Sequence, residues 1–136
     1  MRTIKYIVVH CTATKQNTSI ESIRNYWTTQ LGWKSPGYHI IIKPNGDKER
    51  LALDSTVCNG VKNYNSNSIH VSYIGGIDDK GNSIDNRTPD QKKTLLETLC
   101  GLKALYPNAI IQGHRDFPNV VKDCPCFNAK DEFKHL

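Results

Sequence analysis

The chain has 136 residues, 38% of them hydrophobic and 23% charged, with a formal net charge of +5. That is enough for one domain with a real core and too little for two, and the composition is that of a globular protein, not of a disordered or repetitive one. No apolar run reaches the ~20 residues of a membrane span, and the scattered lysines form no dense basic block of the kind that marks a nucleic-acid footprint.

The opening MRTIKYIVVHCT carries a short apolar run interrupted by Lys5 and Tyr6, with no small-residue cleavage site, so residues 3–10 predict a strand and not a signal peptide. After the polar loop CTATKQN, Thr18 and Glu21 fit a capping box. Ile20, Ile23, Trp27 and Leu31 then recur at helical spacing up to Gly32, which predicts an amphipathic helix over residues 19–31. GYHIIIKPNGDKERLAL predicts a hairpin with strands at 38–43 and 48–53 around Asn45-Gly46, a pair in which both positions tolerate positive φ. The Asn-rich loop VCNGVKNYNSNS leads into the strand IHVSYIGG. Thr88-Pro89-Asp90-Gln91 is a second capping box, with Pro at the first helical position. It opens a helix of about five turns with Leu95, Leu99, Leu102 and Tyr106 on one face, stopped at Pro107. Residues 109–112 form a last short strand, and GHRD begins directly after it. The order β-α-β-β-β-α-β predicts an α/β fold: a single domain with a central mixed β-sheet flanked by α-helices, whose ligands collect at the carboxyl edge of the sheet.

The five cysteines, Cys11, Cys58, Cys100, Cys124 and Cys126, are odd in number, which argues against a disulfide framework. Cys100 sits among leucines and reads as a packing residue. The C-x-C spacing of Cys124 and Cys126 matches neither a C-x-x-C redox pair nor a zinc knuckle. His10 ends the first strand and His114 follows the last. If those strands are parallel neighbours, both imidazoles emerge at the same edge of the sheet, and the loop through Lys-Asp-Cys-Pro-Cys can return there. Two imidazoles and a thiolate with an open fourth position make an attested catalytic zinc set; a fourth ligand from Cys126 or Asp116 would make a closed structural site instead.

On these residues the chain resembles the zinc-dependent N-acetylmuramoyl-L-alanine amidases of type 2, most of all the small phage lysozyme-amidases and more distantly the peptidoglycan recognition proteins. The resemblance is carried by VVHCTAT (8–14), GYHIIIKPNG (37–46), NYNSNSI and IGGIDDKG (within 63–81), TPDQ (88–91), and GHRD with KDCPCF (within 113–127), in the family's order over nearly the whole chain. It implies His10, His114 and Cys124 as ligands of one catalytic Zn2+, Tyr38 as the tyrosine beside the metal, and Lys122 as the lysine the phage members need for hydrolysis. The implied reaction cleaves the amide between the lactyl group of N-acetylmuramic acid and L-alanine of the stem peptide, by zinc-activated water. The sequence departs from the family pattern at Asn59, where His is frequent, at His70, where Gly is frequent, and in a slightly longer spacing from His114 to Lys122. These differences bear on the groove wall and on stem-peptide selectivity.

No Glu stands in an H-E-x-x-H arrangement, so the usual zinc-protease base is absent. In an extended segment residues 122, 124 and 126 share one side, which makes Cys126 the competitor of Cys124 for the metal. Cys11 is expected to point away from His10 into the core. Asn63, Asn65, Asn67 and His70 are the expected substrate contacts. The expected partner is peptidoglycan or a muropeptide, with no nucleic acid, no membrane insertion and a monomeric state. Residues 1–136 are expected to form the amidase domain alone, with no separate wall-binding domain. The chain is expected to be made in the cytoplasm and to act on the wall after release, or on recycled muropeptides. The rival reading is a non-catalytic peptidoglycan-binding module of the same fold; such modules typically lack the cysteine.

Overall fold

The computed structural model describes residues 2–136. Its elements are β1 (Tyr6–Cys11), α1 (Ile20–Asn25), β2 (Ile40–Ile42), β3 (Lys48–Arg50), β4 (Ser68–Tyr73), α2 (Pro89–Leu105), β5 (Ile110–Gly113) and α3 (Ala129–Glu132). The strands form one sheet in the order β3-β2-β4-β1-β5. β1 pairs parallel with both β4 and β5, β2 pairs parallel with β4, and only the edge strand β3 is antiparallel. The sheet is therefore mixed, as expected, and β1 and β5 are the parallel neighbours that the placement of the two histidines requires.

Strand alternation decides which side chains meet the core. From β1, Ile7, Val9 and Cys11 join Ile40, Ile42, Val71 and Tyr73 in the main cluster, which Leu95, Leu99 and Leu102 of α2 cover. Val8 faces the opposite side and packs with Val61 and Phe117. His10 shares that side, and Ile23, Trp27, Ile41 and Ile74 form a third apolar cluster beneath α1. The opposite face is thus closed partly by α1 and partly by loops, and the loops leave an opening over His10.

Three local expectations are corrected. The cap of α1 is Ser19, whose Oγ accepts the Ser22 amide at 3.1 Å, and not Thr18. The helix then continues as a wider π-helical turn over Tyr26–Gln30, which covers the rest of the expected span. At the hairpin, Gly46 (φ 91) takes a positive φ and Asn45 does not. The connection is a three-residue loop closed by the Lys43 amide on the Asp47 carbonyl at 2.8 Å, a form in which one glycine suffices. The capping box at the start of α2 is present as read, with Thr88 and Gln91 exchanging bonds.

The segment that follows β5 is tied down from the far end of the chain. Arg87 donates to Asp85 at 2.9 Å and to both carboxylate oxygens of Glu132 in α3, at 2.8 and 2.9 Å, and stacks on the Phe127 ring at 3.4 Å. Its guanidinium satisfies both acids and anchors the chain just past Cys126, and bidentate pairs of this kind are the stronger sort of ion pair.

Candidate metal centre and substrate cleft

His10 lies near the carboxyl end of β1, His114 opens a 3-10 turn (His114–Asp116) directly after β5, and Cys124 arrives on the returning loop. Their ligand atoms all lie within 4.8 Å of one another, and this is the group among the described residues that can hold a metal ion. The Nδ1 of His10 is 3.8 Å from the Cys124 Sγ, and the ring centroids of His10 and His114 are 5.0 Å apart. Cys124 Sγ also accepts the Cys11 amide at 3.2 Å, which fixes the position of the sulfur.

Protonation matches ligation. Burial holds the His10 imidazole well below its ordinary range, and His70, His114 and Lys122 add repulsion in the same direction. His114 is pulled down to about 4 by burial and by Lys122. Both rings are neutral at pH 7 and have a lone pair to give. The same shifts have a stability consequence. Unfolded imidazoles take up protons near 6.5, whereas folded His114 resists until about pH 4 and His10 is held down in the same direction, so acid favours the unfolded chain as the pH falls below 6.5. The metal-free protein is expected to melt at a lower temperature at pH 5 than at pH 7; a flat or inverted profile in thermal melts would contradict this.

Cys126 does not reach the centre. The segment is not extended there: the Cys126 amide closes a turn onto the Asp123 carbonyl at 2.6 Å, and Cys126 itself has φ 73. The turn carries the chain around the end of β1, so the two thiols part. Cys124 faces His10, while the Cys126 Sγ lies 3.8 Å from that of Cys11 and 3.4 Å from the Gly76 carbonyl. Burial and the neighbouring Cys11 push the Cys126 thiol up to about 12, so it stays protonated. Cys11 is buried on the core side, as alternation requires. Asp116, the other candidate fourth ligand, accepts the Gly113 amide at 2.8 Å and caps the 3-10 turn.

The centre forms the floor of a cleft of about 850 Å³. Trp27, Trp33 and Tyr38 line one side, Asn59 to Asn65 another, and Pro118 to Lys122 a third. The Tyr38 ring sits 5.0 Å from that of His10 and its hydroxyl donates to the Cys11 carbonyl at 3.2 Å. Burial raises the Tyr38 hydroxyl above its usual range, with Cys124 and Cys11 adding to it, so it is a donor at neutral pH. Lys122 is exposed on the rim. A second cleft of about 1000 Å³ lies between the start of α1 and the β2–β3 hairpin and contains none of these residues.

Four expected substrate contacts separate. Asn63 is exposed on the cleft wall. Asn65 also lines the cleft, but its Oδ1 is taken by the Val61 amide at 2.8 Å and by His70. Asn67 is turned to the Thr3 carbonyl at 2.9 Å, off the cleft. His70 is fully buried in β4, because strand alternation puts it beneath His10 and not on the groove wall. Trp33 and the 118–121 stretch were not singled out in the sequence; a lone Trp after a helix stop and a Pro-Asn-Val-Val loop carry no periodic signal, and the tertiary fold alone brings them into the cleft with His10, His114 and Cys124.

The N-acetylmuramoyl-L-alanine amidase family profile matches residues 1–127. The endolysin of Enterobacteria phage T3 is 42% identical over 130 residues, which cover 94% of this chain and 84% of the relative. The chain belongs to the type 2 N-acetylmuramoyl-L-alanine amidase family. The amidase is likewise 42% identical over 126 residues to the endolysin of Escherichia phage T7, covering 91% of the amidase and 82% of that protein. The solved structure of the Ph2119 endolysin from the Thermus scotoductus MAT2119 bacteriophage Ph2119 superposes with a TM-score of 0.80 at 26% identity, over 92% of the amidase and 79% of that chain. The reaction of the amidase is hydrolysis of an amide of peptidoglycan. No helix among the described residues is long and apolar enough to cross a membrane.

Proposed function

We propose that the amidase cuts the bond between the lactyl group of N-acetylmuramic acid and L-alanine with one zinc ion held by His10, His114 and Cys124. The observation that carries this reading is the convergence of one buried and one half-buried neutral imidazole and one cysteine on the floor of an open cleft. The donor set suits zinc: nitrogen and thiolate ligands, with three protein groups leaving a position open. Bound zinc supplies a Lewis acid and a water whose pKa is lowered to near 7.

The rest falls to the chain's own side chains. Lys122 reaches from the rim with the positive charge that a developing oxyanion needs, and its field already acts on His10 and His114. Tyr38 stays protonated beside His10 and can donate a hydrogen bond to the reacting amide. The Trp27–Trp33 pair, stacked at 6.4 Å, offers an apolar wall to the sugar or stem. Asn63 supplies amide groups for glycan or peptide. The substrate is met in the cell wall after release, or as recycled muropeptides.

Purified sacculi test this. Stem peptides with a new free L-alanine amino group are expected to appear, to stop when a strong chelator strips the protein, and to return on addition of one equivalent of zinc. Undiminished release from fully stripped protein would sink the zinc assignment while leaving the family's reaction in place.

A further inference from the structure

Directly under His10 lies a buried polar chain that the catalytic reading does not use. The His10 Nε2 is 2.8 Å from His70 Nδ1, and His70 Nε2 is 2.9 Å from Asn65 Oδ1. Both histidines are fully or almost fully buried, at 1% and 0% exposure, so the bond between them is made without competing water, while the His70–Asn65 bond is part-buried behind the cleft wall.

The direction of every bond in the chain follows from one backbone amide. The Val61 N–H can only donate, and it points at Asn65 Oδ1 from 2.8 Å, which fixes that atom as the oxygen of the side-chain amide. An amide oxygen only accepts, so the proton between Asn65 and His70 sits on His70 Nε2. A neutral imidazole with a protonated Nε2 has its lone pair on Nδ1, and that lone pair accepts from His10 Nε2–H. His10 is then left with its lone pair on Nδ1, the nitrogen that faces Cys124.

We infer that His70 and Asn65 are positioning residues that hold His10 in the tautomer presenting Nδ1 to the metal. The inference rests on the reading of His10 as a ligand. The fold supports it on both sides of the His70 ring. Gly60 closes so tightly that a Cβ there would stand 2.3 Å from His70 Nδ1, so only glycine leaves room for the imidazole. The His39 ring stacks on it with centroids 5.8 Å apart. His39 is itself oriented: its Nδ1 accepts the His70 backbone amide at 3.0 Å and its Nε2 donates to the Thr56 carbonyl at 2.7 Å. A supporting hydrogen bond on the second nitrogen of a ligating histidine fixes its orientation and raises its basicity, and losing one typically costs ~10–100-fold in metal affinity.

The test has an arm that needs neither metal nor variant. In metal-free, 15N-histidine-labelled protein at pH 7, long-range proton–nitrogen spectra are expected to show His10 and His70 each as a single tautomer with Nε2 protonated. The second arm measures zinc affinity by chelator competition. His70→Leu keeps volume but removes the acceptor, and is expected to bind zinc ~10–100-fold more weakly. His70→Asn places an oxygen near the former Nδ1 and is expected to restore the wild-type tautomer and most of the affinity. Mixed or Nδ1-protonated His10 in the wild type overturns the relay, as does a His70→Leu protein that folds and keeps both tautomer and zinc affinity. A wild type that shows the single tautomer yet binds no zinc supports the relay and refutes the ligand reading instead.

Discussion

Cys124→Ser is expected to lose the metal and the activity together, while Cys126→Ser keeps both. In Cys124→Ser, zinc affinity should fall by more than the ~10²-fold that marks loss of a merely supporting group, because a first ligand goes and a serine hydroxyl does not ionise to replace the thiolate. The fold should survive: Cys124 is only partly buried at the edge of the main cluster, and the hydrogen-bond contacts of its sulfur are with His10 and the Cys11 backbone. Cys126, turned toward Cys11 with a protonated thiol, should leave one zinc per chain undisturbed on substitution. Zinc content and chelator competition on the two variants decide the matter. A Cys124→Ser protein that binds zinc as tightly as the wild type, or a Cys126→Ser protein that loses it, would reverse the assignment of the two sulfurs.

Lys122→Met is expected to behave in the opposite way, with catalysis lost and metal retained. A positive group aimed at a developing oxyanion is worth ~2.7–4 kcal/mol, so kcat should drop by about two to three decades. Lys122 pushes the proton affinity of both His10 and His114 down, which places its charge close to the ligand set. Removing it relieves repulsion toward a bound cation, so zinc affinity should be unchanged or slightly tighter. Because Lys122 is exposed and bonds to nothing else among the described residues, the melting temperature should barely move. Steady-state kinetics on a soluble muropeptide, paired with zinc competition, checks all three. A kcat within about threefold of the wild type would remove Lys122 from the oxyanion role.

Much of this centre was legible in the chain itself. Strand periodicity and the glycine and proline stops place the five strands and the two longer helices in their observed order, whereas α3 was not foreseen. His10 and His114 stand at the ends of strands that could be read from their Ile and Val content, while their parallel pairing, a condition in the sequence, is supplied by the structure. The alternation of β1 also foretold that Cys11 would turn away from His10. What the alternation of a single strand could not supply was the environment on the other face. His70 follows the same period-two rule in β4, but whether that face meets water or protein depends on loops from distant parts of the chain. The loop around Gly60 covers it, so an expected groove residue became a buried partner of His10.

The C-x-C segment shows the same boundary from another side. Read as an extended run, it sets Lys122, Cys124 and Cys126 on one side. The observed chain is bent by a turn at Asp123–Cys126 and held by Arg87, whose partners lie before α2 and in α3. Pro125 marks a turn between the two cysteines, as the sequence suggests, but where that turn sends the second sulfur depends on contacts with residues far away in sequence.

The amino-acid sequence by itself determined the order of the strands and the two longer helices, the mixed sheet, the family, and the side chains that meet on the cleft floor, since these depend on periodicity, turn residues and side-chain types that are local properties. The tertiary structure alone decided which sulfur faces His10, which polar side chains see the cleft, and which nitrogen of His10 faces Cys124. Each of those is settled by contacts between segments tens of residues apart, such as His10 with His70 and with Cys124.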